Sequence, residues 1–125
     1  MGPTFLKIAV LYLIIGIGVG IYMSSSIQLQ WASAHAHVNL AGWATTAIMG
    51  LVYCVYPHAG RNTLAVVHFW TYNIGLPLFL VSTFMVQIPD MLGFAHNFTF
   101  IGAGLMAVGL LSFVANLYMN IKETD

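Results

Sequence analysis

Four stretches of this chain are almost wholly apolar over roughly 20 residues each, the length a helix needs to cross the hydrocarbon core of a bilayer. They cover about 5–23, 37–56, 64–87 and 94–119. Lipid offers a backbone amide no partner, and each one left unsatisfied costs several kcal/mol, so such a stretch closes its own hydrogen bonds as a helix. What lies between the stretches is too short and too apolar to build a soluble fold. Of 125 residues 5% are charged, against about 25% in an ordinary soluble domain. Net charge is zero and mean hydropathy is +0.90. The expectation is an all-α membrane protein, a single four-helix transmembrane domain over residues 1–125, surrounded by membrane lipid.

Composition closes off several functions. Three Lys/Arg residues make no basic surface, so nucleic acid is not expected as a partner. The one cysteine, Cys54, lies inside an apolar run. It offers neither a disulfide nor a thiolate cluster within one chain and reads as a small packing residue. The first stretch follows Lys7 as a signal peptide would, and Ala32-Ser33-Ala34 looks like a cleavage site. That site lies too far beyond the apolar run, so a retained helix is expected.

Breaks in the pattern place the loops. Ser24 to Ser33 is polar and does not belong in lipid, Pro57 stops the second span, and His58 to Asn62 form a short turn. Pro77 predicts a kink in the third span, which closes before Pro89-Asp90. Glycines at Gly16/Gly20, Gly42/Gly50 and Gly102/Gly109 give faces that let helices approach closely. Lys7, Arg61 and Lys122 fall at the N-terminus, the second loop and the C-terminus, while the first and third loops have no Lys or Arg. By the positive-inside rule both termini are cytoplasmic.

Ionisable side chains within spans are rare and mark function. This chain has five histidines beside three Lys/Arg and three Asp/Glu residues. His35 and His37 are expected to open the second helix and His96 the fourth, all near the outer face. His68 lies about one turn into the third helix near the inner face, and His58 in the inner loop. From His37 the second helix descends about 20 Å to the level of His68, at about 1.5 Å per residue, so His68 shares no single ion with the outer group. His68 and His58 are expected to hydrogen-bond neighbouring helices. In a helix His35 and His37 diverge by about 200°, at about 100° per residue. A compact zinc site prefers an i, i+4 pair with a carboxylate or thiolate, and the outer level has only Asp90, in a loop. Imidazoles from different helices, axial to a large planar apolar cofactor, suit the pattern better: haem. Trp31, Trp43, Tyr53 and Tyr56 lie near the interfaces, where aromatic belts are expected in any case.

The run His35-Ala36-His37-Val38-Asn39-Leu40-Ala41-Gly42-Trp43, continuing to Gly50-Leu51-Val52-Tyr53 and Pro57, resembles the haem-bearing helices of haem-copper oxidase catalytic subunits. The likeness is to the cbb3-type and nitric-oxide-reductase branch. His68-Phe69-Trp70 and Asn73-Ile74-Gly75-Leu76-Pro77 look like the small four-helix relatives of that subunit. The resemblance covers His35 to about Pro77. It implies a haem b protein of the bacterial inner membrane, with ligands near the outer face. The family subunit has twelve helices in three four-helix arcs, and this chain is one arc long, so the resemblance implies a homotrimer. His35 of one protomer and His37 of the next would hold each haem, with Asn39 and Trp43 beside them and His96 as the alternative ligand. The family's outer arginines have no counterpart here, leaving Asn39, Gln28, Gln30 and Trp31 as neutral donors for haem propionates. The copper-site histidines are also missing, so no binuclear centre is expected, and a bis-histidine haem without an open position points to electron transfer or redox sensing. Two other classes fit the residues: a copper- or zinc-handling protein using Met23, Met91 and the outer histidines, and a structural subunit without cofactor. A reporter fused after Asp125 is expected to be active only in the cytoplasm; activity on the outer side would invert the topology.

Overall fold

The computed structural model describes residues 1–122. Four helices long and apolar enough to cross a membrane make up the bundle: Gly2–Ser26, Leu29–Val55, Thr63–Met85 and Leu92–Asn120. Among the described residues there is no strand. The first helix starts ahead of the apolar run because Pro3 sits in its opening turn, where a missing N–H costs nothing. It ends on Ile27, whose φ of 54° is unusual for a branched side chain and turns the chain sharply back.

The second helix departs most from expectation. It begins with a 3₁₀ turn, Leu29–Trp31, and runs on as α-helix over Ala32–His37, so His35 and His37 lie inside it rather than at its mouth. No Gly or Pro stands between Ser24 and His37 to stop a helix, and the alanines at 32, 34 and 36 favour one. The segment Val38–Thr45 then widens into a π-helix before α-helix resumes over Thr46–Val55. Hydroxyls support the widened turn. Thr45 Oγ1 donates to the Leu40 carbonyl at 2.8 Å, and the Ala41 carbonyl accepts from Thr46 Oγ1 at 3.2 Å and from Tyr72 OH of the third helix at 2.9 Å. Pro57 forces the preceding residue out of helix, and Tyr56 accordingly leaves it.

Asn62 caps the third helix by accepting from the Ala65 N–H at 3.0 Å. Pro77 lies within this helix and has no N–H to give the Asn73 carbonyl. The helix ends at Met85, short of Gln87, and the fourth starts at Leu92.

The first helix packs on the second and the third on the fourth, with the second bridging the two hairpins. Glycine sets how close the pairs come. A methyl group at Gly102 would lie 2.5 Å from the Phe79 nitrogen, and one at Gly75 would lie 2.6 Å from the Gly102 carbonyl oxygen. In the other hairpin Gly16 faces Asn39, Gly20 faces His35, Gly42 faces Tyr12 and Gly50 faces Phe5. All three glycine faces that the sequence offers for assembly are thus filled within one chain, and Gly18, Gly93 and Gly104 meet nothing within 4 Å.

All the chain's basic residues lie towards the end where the second loop meets both termini, called the basic end below. Gly60 packs on Met1 there, and His58 bonds to Asn120. Gly102→Ala is expected to lower stability by about 1–3 kcal/mol through overpacking against backbone, while Gly104→Ala changes it little. Thermal unfolding of the detergent-solubilised variants measures both.

Candidate functional site

Two groups of polar side chains interrupt the apolar bundle. The first is the histidine pair at the end opposite the basic one. Because the helix is regular α over Ala32–His37, residues two apart point to different neighbours. His35 turns to the first helix, where its Cε1 lies 3.0 Å from where Gly20 would carry a methyl group. His37 turns to the third helix and meets the Phe79 ring edge-on, with centroids 5.4 Å apart. Both are half-buried.

The two rings are held differently. His37 Nδ1 lies 2.7 Å from the Ser33 carbonyl oxygen, which can only accept, so Nδ1 carries the proton and Nε2 keeps its lone pair. A histidine whose Nδ1–H is tied to a carbonyl is oriented as metal-ligating histidines are. The Asn39 amide donates to the His35 carbonyl at 2.9 Å and lies 3.4 Å from His35 Nδ1. Asn39 is itself seated against Gly16 of the first helix.

His35 and Asn39 therefore form one unit against the first helix, with His37 on the opposite side. Trp43 is 39% exposed on the π segment, and His96 is exposed on the first turns of the fourth helix. Neither makes a side-chain hydrogen bond or ring contact with the described residues. Among the described residues no three His, Cys, Asp or Glu side chains gather as a metal site.

The second group is buried in the basic half. His68 is 0% exposed, between the rings of Phe5 and Phe113 at 5.1 and 4.8 Å. Its Nε2 lies 3.2 Å from the Met49 sulfur, which only accepts, so the proton is on Nε2. Nδ1 then accepts from the Tyr53 hydroxyl at 2.8 Å. Asn116, also 0% exposed, approaches the Tyr53 oxygen at 3.5 Å and donates to the Ala59 carbonyl at 2.8 Å. Its own carbonyl accepts from Asn62 at 2.7 Å and Asn120 at 2.8 Å. His58 reaches the Asn120 carbonyl at 2.6 Å.

His68 and His58 thus bond to neighbouring elements, as the sequence led us to expect. The partners Met49, Tyr53, Asn62 and Asn116 did not stand out. The available signal was Asn116 itself, an amide deep in an apolar span, where an unpaired polar group is too costly to leave without a partner. No family model, curated protein or solved structure matches this chain.

Tyr53→Phe is expected to lower stability by about 1 kcal/mol, the scale of one interhelical hydrogen bond in a membrane. Asn116→Leu is expected to cost more, about 1–3 kcal/mol, because it removes the bonds to Asn62, Ala59 and Asn120 together and strands the Asn120 amide. Thermal unfolding midpoints compared with the wild type check the order.

Proposed function

We propose that this chain is a haem b-binding electron-transfer module of the bacterial inner membrane, ligated by two histidines and assembled as a homotrimer. The observation that carries the reading is the Nδ1 bond of His37 to the Ser33 carbonyl at 2.7 Å, which leaves an oriented Nε2 lone pair in a half-buried, apolar setting. The histidine chemistry fits haem, which His37 would hold through Nε2. His35 and His37 face different helices, so one ring would not reach both, and a second copy would supply the other imidazole. His35 of one protomer and His37 of the next are the proposed pair, with Asn39 orienting His35 and Trp43 beside them. When bound, the haem supplies one-electron redox chemistry. The residues of this chain would orient the imidazoles, Ser33 at His37 and Asn39 at His35, and exclude water with apolar helices.

Purified protein is expected to show a Soret band with sharp reduced α and β bands. His37→Ala and His35→Ala should each remove most of the haem, and His68→Ala should keep it. Full haem content in both outer variants would sink the reading. Mass measurement in detergent tests the assembly: a monomer that loses haem on His96→Ala would instead put both ligands in one chain. Protein that binds copper through Met23 and Met91 without a Soret band would select the metal-handling class, and cofactor-free protein the structural one.

A further inference from the structure

The first and third helices touch at the basic end, where the Phe5 ring meets Phe69 edge-on at 5.2 Å. Towards the other end they part. The space between them is a cleft of about 460 Å³, walled by Ile15, Gly18 and Tyr22 and backed by Trp31 and Phe84. The last two rings lie 5.6 Å apart, tilted by 35°, so the backing is aromatic. The cleft continues into a second apolar cavity of about 230 Å³ that shares Ile15 and Phe84 with it and reaches Pro77.

Lipid chains bathe any groove on a bundle, so the chemistry of the lining has to say what this one selects. Neither cavity is lined by Lys, Arg, Asp or Glu, and Lys7, Arg61 and Lys122 all lie towards the basic end. A phospholipid phosphate therefore finds no cation here. Tyr22 and Trp31 are both among the lining residues, and neither side chain has a hydrogen-bond partner among the described residues. An indole N–H only donates and a phenol donates readily, so both suit an acceptor such as a carbonyl. The aromatic backing suits a planar ring, because rings stack offset or edge-on at these separations. The smaller, wholly apolar extension towards Pro77 suits an apolar tail such as an isoprenoid chain.

We propose that this cleft is a binding site for an isoprenoid quinone, its ring against Trp31 and Phe84, a ring carbonyl on Tyr22 or Trp31, and its tail running towards Pro77. The choice of a quinone among neutral amphiphiles rests on the redox reading above, whereas occupancy of the cleft can be tested without it.

The test uses the full-length protein as purified, in phosphatidylcholine nanodiscs, with short-chain ubiquinone as the probe. Trp43→Phe and Trp70→Phe, both at exposed positions, leave Trp31 as the sole indole. Quinone is expected to quench Trp31 fluorescence saturably. Gly18→Leu should weaken binding at least about 10-fold, because nothing lies within 4 Å of the position and the new side chain enters the cleft without moving backbone. Tyr22→Phe should weaken it by roughly 5-fold, the scale of one hydrogen bond. Quenching that grows linearly with quinone, as membrane partitioning gives, would overturn the proposal and leave Tyr22 and Trp31 as ordinary interface aromatics. Saturable quenching indifferent to Gly18→Leu would overturn it as well. Bound haem lowers Trp31 emission by a fixed amount and does not mimic saturation by quinone. Absence of haem from the wild-type protein, with quinone binding intact, would count against the electron-transfer reading alone.

Discussion

Apolar surfaces do not drive helices together in a bilayer, since lipid tails are as apolar as leucine, and cohesion has to come from close backbone packing and from polar groups that find each other. This bundle uses both, in different places. Glycine contacts zip each hairpin along its length, with Gly75 against Gly102 in one and Gly16, Gly20, Gly42 and Gly50 in the other. Hydrogen bonds tie the hairpins together at the basic end, where Tyr53 of the second helix, His68 of the third and Asn116 of the fourth meet. The far end depends on that division, because the first and third helices meet through Phe5 and Phe69 near the basic end and line the two apolar cavities beyond it.

The π segment connects the two ends. It lies directly after the histidine pair, and its carbonyls at Leu40 and Ala41 are held by Thr45, Thr46 and Tyr72. A π turn inserts extra chain into a helix, so the directions in which His35 and His37 point are rotated relative to the face carrying Met49 and Tyr53. One helix can then present histidines to two neighbours at one end and buried packing groups at the other. Tyr72 fixes that rotation from the third helix, which ties the orientation of the histidines to the packing of the core.

The proposed haem and quinone sites are both built at the looser end. His37 rests on Phe79 and the cleft on Phe84, so the third helix contributes a ring to each site.

Helix number, approximate spans and the side on which the basic residues gather were legible in the sequence, because apolar length and the placement of Lys7, Arg61 and Lys122 are linear properties of the chain. The expected partnership of His68 and His58 with neighbouring helices was legible too, since a polar group in lipid must find a partner. The identity of those partners was not: Met49 and Tyr53 lie 19 and 15 residues from His68, and nothing local marks them. The apolar pattern also set the second helix to open at His37, whereas the helix starts at Leu29, as the alanines before His37 allow, and widens over Val38–Thr45, where Tyr72 of the third helix bonds the Ala41 carbonyl. Glycine faces are visible as spacing, yet only the tertiary structure decides whether they meet another copy or their own chain, because spacing fixes a face without fixing its neighbour. In this bundle their own chain fills them, and Gly18, left open, lines the cleft instead.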